Sequence, residues 1–72
     1  MPKIISEKFS KEGDHILTTE YEVEFDDIEK EMSEFNLSHI KYDIVNGVKT
    51  TVGGTVYNHD GGWHEVRLEV NA

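Results

Sequence analysis

The chain has 72 residues, 36% of them hydrophobic, with no cysteine and a formal net charge of −8. This length predicts one domain over residues 1–72, with a thin core of two layers at most. The lack of cysteine excludes disulfides and thiolate metal sites and favours a reducing compartment, so we expect a cytoplasmic protein. Nucleic acid and anionic membrane are disfavoured as direct ligands because the negative charge repels both.

Membrane insertion and export by a signal peptide are also disfavoured by the sequence. The longest apolar run is two residues, whereas a membrane span requires about 20. The first residues lack the apolar segment of a signal peptide.

Two strands and a turn are predicted in the first third of the chain. Ile4 to Phe9 and His15 to Phe25 are typical of strands, and Gly13 lies in the turn between them. In the second run the odd positions carry the better apolar set, which consists of Leu17, Thr19, Tyr21, Val23 and Phe25. Alternation of this kind gives a strand one buried face and one solvated face, so we expect the even-numbered glutamates to face water.

A helix is predicted from Asp27 to about Asn36. Asp26 is a natural N-cap, and Glu29 three residues later completes a capping-box pattern. The helical spacing of Ile28, Met32 and Phe35 predicts a buried stripe.

Asn46 and Gly47 are the strongest short hairpin signal in the chain. A two-residue loop would place the apolar sets of the flanking strands on opposite faces. We therefore expect a three-residue loop over residues 45–47, with Gly47 left-handed in a bulge. This register pairs Ile44 with Val48, Tyr42 with Thr50, and Ile40 with Val52.

The last two strands are predicted to meet across a five-residue turn at residues 58–62, and Gly53-Gly54 to be a bend or bulge rather than a stop. The pairing then places Gly54 opposite Val66 and Tyr57 opposite Trp63. It also pairs Val52 with Leu68, Thr50 with Val70, Thr55 with Glu65, and Thr51 with Glu69. The predicted fold is α+β, a single mainly antiparallel sheet of about five strands with one helix packed on it, in the order ββαβββ.

Residues 20–34 carry eight carboxylates against one lysine, a local charge of −7, and the rest of the chain is close to neutral. A helix N-terminus stabilises anions, which accounts for Asp26, Asp27 and Glu29. It does not account for Glu31 and Glu34, which lie further along the predicted helix. Two interpretations remain open: a solvated face that gives solubility, or an anionic surface that binds a basic partner. The candidate partner-binding residues are Glu20, Glu22, Glu24, Asp27, Glu31 and Glu34.

This acidic surface resembles, in kind, the small acidic inhibitors encoded by phages, such as anti-CRISPR and anti-restriction proteins. Several of those proteins mimic DNA with rows of Asp and Glu, and the six candidate acids are the matching feature here. The resemblance covers about a fifth of the chain. It implies an inhibitor that occludes a basic, nucleic-acid-binding surface of its partner.

Tyr57 and Trp63 form a second candidate, predicted on the sheet face away from the helix. The neighbours expected there are His39, Lys41, Arg67 and Glu69. Exposed aromatic residues are common anchors of interfaces. The pair could also cover the sheet rim or close a homodimer.

The sequence predicts no metal, cofactor or catalytic residues. His59, Asp60 and His64 are close in sequence but match no established ligand spacing, and Asp60 is a natural turn residue. No nucleophile or phosphate-loop motif is present. We expect a non-enzymatic binding protein, monomeric or homodimeric, whose partner is basic and binds nucleic acid. The alternative is a self-associating module that uses the open sheet face around Tyr57 and Trp63.

Overall fold

The computed structural model describes residues 1–70, which form one antiparallel five-stranded sheet and one short helical segment. The α+β class is therefore confirmed in outline, although most of the structure is β. The elements are β1 (Lys3–Phe9), β2 (His15–Glu22), a 3-10 turn (Phe25–Asp27), α1 (Ile28–Ser33), β3 (Ser38–Val45), β4 (Val48–Tyr57) and β5 (Trp63–Glu69).

The strand order across the sheet is β2-β1-β5-β4-β3, which differs from the order of the strands along the chain in ββαβββ. The difference arises because β5 pairs with β1, with Ile4 opposite Leu68 and Phe9 opposite Trp63. This long-range ladder joins the N-terminal hairpin to the C-terminal strands. As a result β2 and β3 are the two edge strands.

The β1 and β2 hairpin is confirmed, with Ile4 opposite Tyr21, but β2 ends at Glu22 rather than at Phe25. The chain turns at Val23, whose N–H donates to the Pro2 carbonyl. Val23 is the one buried member of the predicted inward set, because Leu17, Tyr21 and Phe25 remain 38–48% exposed. An edge strand beneath a short helix has too little cover to bury the full row.

The helix is shorter than predicted, and its start is built differently. Asp27 occupies the N-cap without a side-chain capping bond, so the capping box of Asp26 and Glu29 is wrong. Glu29 instead accepts the Thr51 backbone N–H at 2.7 Å. Ile28 and Met32 are each 2% exposed and pack with Ile4, Val23 and Val66, with Phe35 partly buried beside them. The predicted stripe is confirmed, since packing of this apolar face holds the short helix in place.

The predicted three-residue loop in the β3 and β4 hairpin is wrong. Asn46 and Gly47 form a two-residue turn with φ of 51° and 77°, which confirms the left-handed glycine. Two positive φ values define a type I′ turn, the form that Asn-Gly favours because its twist matches that of the strands. Val45 is opposite Val48, Ile44 opposite Lys49, and Tyr42 opposite Thr51, so the predicted pairs Ile44–Val48, Tyr42–Thr50 and Ile40–Val52 do not form.

Strand β4 continues through Gly53-Gly54, and its register against β3 shifts there, in line with the predicted bend or bulge. Lys41 pairs with Gly53 and Tyr42 with Thr51, which leaves Val52 as the extra residue of a bulge. The ladder between β4 and β5 runs from Gly53 to Tyr57. It includes the predicted pairs Gly54–Val66, Thr55–Glu65 and Tyr57–Trp63 and lacks Val52–Leu68, Thr51–Glu69 and Thr50–Val70. Residues 40–51 therefore extend beyond the ladder with β5, as a two-stranded arm formed by β3 and β4.

Candidate functional site

Carboxylates converge where strand β2 passes into the helical segment. Four of them, Glu22, Glu24, Asp27 and Glu31, line one shallow depression of about 280 Å³ together with Tyr21. Glu34 follows at the C-terminal end of α1. We call these five acidic residues, Glu22, Glu24, Asp27, Glu31 and Glu34, the acidic rim.

Glu20 and Glu24 differ from their predicted setting. Glu24 lies beyond the end of β2, so the expected row of three glutamates on one strand face is reduced to Glu20 and Glu22. The last ladder pair of β2 joins Glu22 to Lys3, after which the chain turns toward the helix. Lys3 also neutralises part of the row, because its Nζ is 3.5 Å from Oε1 of Glu20.

Tyr21 connects the acidic rim to the sheet. Its ring belongs to β2, and its hydroxyl faces the Glu31 and Glu34 carboxylates. Burial raises the pKa of Tyr21, and the interaction with Glu31 and the charge of Glu34 raise it further. The sequence indicated only an apolar inward residue here, because the helix contact cannot be read from strand alternation.

Within residues 1–70, none of the acidic rim carboxylates has an ion-pair partner within 4.0 Å. The basic residues lie mainly on other elements: Lys3, Lys8, Lys11, Lys41, Lys49 and Arg67. Lys30 alone shares the helix with the rim. Charge is therefore segregated across the sheet, with the β2 edge strongly negative and the β3 edge close to neutral.

Aromatic and imidazole rings form a row across one end of the sheet face that lies away from the helix. Trp63 stacks on Phe9 with centroids 5.5 Å apart, and His15 meets Phe9 edge-on at the same distance. Tyr57 is opposite Trp63, and its hydroxyl is 3.0 Å from Nε2 of His39. We call these five residues the aromatic row. The predicted pair of Tyr57 and Trp63 lies within it, while Phe9 and His15 were missed because the β1 and β5 pairing was not foreseen.

Most of the charged residues near the aromatic row form ion pairs with one another. Arg67 donates to Glu7 at 2.6 Å and lies 3.5 Å from Glu69. The hydrogen bond to Glu7 raises the pKa of Arg67. Lys41 and His39 line a groove of about 340 Å³ beside them, floored by Gly53. Charges on this face are balanced, in contrast to the acidic rim.

The cluster of histidines and aspartate near residue 60 has structural contacts. Nδ1 of His64 is 3.1 Å from Oδ1 of Asn58, and the Asp60 carboxylate accepts the Gly62 N–H at 2.9 Å. The described residues contain no group of three or more side chains placed to hold a metal ion. Over the same part of the chain, no helix has the length and apolar character needed to cross a membrane.

Comparison with protein-family models, with curated proteins and with solved structures finds no match for this chain. Its fold and its surfaces are the features that bear on its function. These define a small α+β domain with one charged candidate interface and one aromatic candidate interface.

Proposed function

We propose that this chain is a small binding protein without catalytic activity, which inhibits a basic, nucleic-acid-binding protein in the cytoplasm by occupying its binding surface with the acidic rim. One observation carries the proposal: four carboxylates line one shallow depression, a fifth follows at the end of α1, and none of the five has an ion-pair partner among residues 1–70. A basic partner would supply the missing counter-charges.

The shape of the acidic rim favours a protein surface over a small molecule as its ligand. The depression is shallow and open, and its acids come from a strand end, a turn and a helix rather than from a closed pocket. Acids spread in this way accelerate the encounter with a basic surface and favour partners of opposite charge. Tyr21 lies among them and is 38% exposed, so it adds an amphipathic anchor at the centre.

The test compares two variants with equal charge loss at different places. The rim variant carries Glu→Gln at positions 22, 24, 31 and 34, and Gln at position 31 keeps an acceptor for Tyr21. The control variant carries Glu12→Gln, Asp14→Asn, Glu65→Gln and Glu69→Gln. Both change the net charge from −8 to −4, because each removes four carboxylates.

Tagged wild-type, rim and control proteins are used to capture partners from native cytoplasm, which are then quantified by mass spectrometry. We expect wild type and the control variant to retain the same basic protein and the rim variant to lose about tenfold or more of it. Added duplex DNA should displace the partner from the wild type, and rising salt should weaken capture. Equal loss in both variants would contradict a local surface, and equal retention would contradict an acidic interface.

The aromatic row favours a second candidate, self-association through the open sheet face around Tyr57 and Trp63. Tyr57 is 60% exposed although it belongs to a connected row of rings. Trp63→Ala separates the two candidates, because it should abolish association through this face and leave capture by the acidic rim intact.

A further inference from the structure

Strand β3 is an open edge with an apolar side. All of its residues are exposed except Val45, and it pairs with β4 alone among the described strands. Three alternate residues, Ile40, Tyr42 and Ile44, are 42%, 55% and 64% exposed. An exposed edge of this kind is a template for pairing with another strand.

The backbone of this edge points the N–H and C=O groups of Tyr42 and Ile44 outward. The two-residue turn makes Val45 and Val48 a hydrogen-bonded pair, so Ile44 and Tyr42 occupy the alternate positions, whose N–H and C=O groups face away from β4. The Ile44 N–H confirms this alternation, because it donates to the Asp43 carboxylate at 2.8 Å instead of to β4. The edge can therefore form a ladder centred on Tyr42, in which the Ile44 N–H exchanges the Asp43 carboxylate for a carbonyl of the added strand.

The sequence of this edge is complementary to itself when it is read in the opposite direction. In an antiparallel pair of two copies centred on Tyr42, each Ile40 is opposite Ile44 of the second copy. Each Lys41 is likewise opposite Asp43 of the second copy, so the charges match on the other side of the strands. Neither Lys41 nor Asp43 has an ion-pair partner within residues 1–70, and the pairing would replace the bond between the Asp43 carboxylate and the Ile44 N–H.

We propose that the occupant of this edge is a second copy of the chain, joined by antiparallel pairing of β3 with β3 about a two-fold axis at Tyr42. The pairing would bury the exposed side chains of Ile40, Tyr42 and Ile44 from both copies as one cluster. The symmetry is closed, so the contact ends at a dimer rather than a filament. The other edge cannot serve in this way, because β2 carries Glu20 and Glu22, which would repel their counterparts.

The dimer extends the sheet to ten strands and places the two acidic rims at its opposite ends, because β2 and β3 are opposite edges. Each rim stays free for a partner. The self-association therefore does not rest on the proposed function, and either can hold without the other. It also differs from association through the aromatic row, which uses a sheet face instead of an edge.

A charge-exchange cycle tests the register. Lys41→Glu places two carboxylates opposite each other, and Asp43→Lys places two ammonium groups opposite each other. The double variant restores opposite charges. Measured by analytical ultracentrifugation over a concentration series, each single change should weaken the dimer at least fivefold at low salt, and the double variant should regain most of the loss. A dimer of unchanged strength in both single variants overturns the proposal.

Backbone pairing is tested by Tyr42→Pro, which removes the outward N–H and leaves the ladder to β4 intact, as proline is tolerated where an edge N–H faces solvent. We expect a folded monomer by circular dichroism. Should this variant unfold, amide exchange of the wild type provides the answer, since the Tyr42 N–H should become protected as concentration rises. A wild type that stays monomeric at all concentrations, or whose dimer is lost in Trp63→Ala but not with the β3 changes, overturns the proposal.

Discussion

Tyr21 illustrates how one side chain can serve both packing and charge. Its ring belongs to the edge strand, while its hydroxyl faces the Glu31 carboxylate of α1. Burial and the two nearby carboxylates, Glu31 and Glu34, favour the protonated phenol over the phenolate. Tyr21 thus couples the stability of the acidic rim to pH at the alkaline end.

Raising pH should destabilise the protein through this residue. The pKa of Tyr21 is raised above its ordinary value of 10.0 in the folded chain, so the folded state holds the phenol proton more tightly than the unfolded state. Its contribution is fully present below pH 10 and is lost as pH rises through the higher folded value. Tyr21→Phe should flatten the alkaline decline in the free energy of unfolding, measured with denaturant. An equal slope in wild type and Tyr21→Phe would exclude this role.

Glu29 shows where residue-level prediction reaches its limit. Its place three residues after Asp26 satisfies a local capping rule, yet its carboxylate accepts the Thr51 N–H from β4. The competing partner lies 22 residues away in sequence. The Thr51 N–H has no partner in β5, because the ladder between β4 and β5 begins at Gly53. A carboxylate bond to this free backbone donor outweighs a cap that solvent can replace.

At the scale of elements, the conformational preference of the turn residues, rather than alignment of apolar side chains, determines the register of the β3 and β4 hairpin. The three-residue loop would place the apolar side chains of both strands on one face. That arrangement stabilises the hairpin only where a core buries the face. Ile44 and Val48 are 64% and 61% exposed, so the arm gains little from placing them on one face. The type I′ preference of Asn-Gly therefore sets the register.

Gly47→Val should destabilise this hairpin by about 1–2 kcal/mol, the cost of a left-handed backbone for a residue with a β-carbon, and more for a branched one. The penalty is one of backbone conformation, because a Cβ at Gly47 would meet no atom within 4 Å. The free energy of unfolding from denaturant titration measures it. Lys49→Val is the matched control, since it adds the same side chain to the exposed strand after the turn. Equal stability of the two variants would show that the turn conformation is not limiting.

Local patterns were sufficient to predict that both outer hairpins exist and that α1 has a buried stripe. They identified the pairing of Tyr57 with Trp63 because a single short turn separates these residues. They could not reveal the ladder of β1 with β5, which joins Phe9 to Trp63 across 54 residues and depends on how the two hairpins close into one sheet. The missed members of the aromatic row, Phe9 and His15, follow from that omission.

At the scale of the whole molecule, sheet order determines where charge resides. The acidic segment follows β2, and the β1 and β5 ladder makes β2 an outer edge. Sequence alone identified the excess of carboxylates but placed three glutamates in one regular row. The chain turn at Val23 instead distributes them over a strand end, a turn and a helix. In the helical segment, Asp27, Glu31 and Glu34 are like-charged neighbours three or four positions apart, so they repel one another.

That repulsion should be visible in the salt dependence of stability. Like charges three or four positions apart on a helix, such as Asp27 with Glu31 and Glu31 with Glu34, each cost a few tenths of a kcal/mol. The rim variant should therefore gain about 0.5–1 kcal/mol in the free energy of unfolding at low ionic strength. The gain should shrink as salt screens the rim over a Debye length of about 8 Å near physiological ionic strength.

The control variant loses Glu65 and Glu69, which contact Thr55 and Arg67, so we expect no gain from it at the same net charge. Denaturant titrations of the three proteins at low and high salt measure the difference. An equal gain in the rim and control variants would mean that net charge alone sets the stability. In that case the acidic rim would carry no concentrated repulsion for a basic partner to relieve.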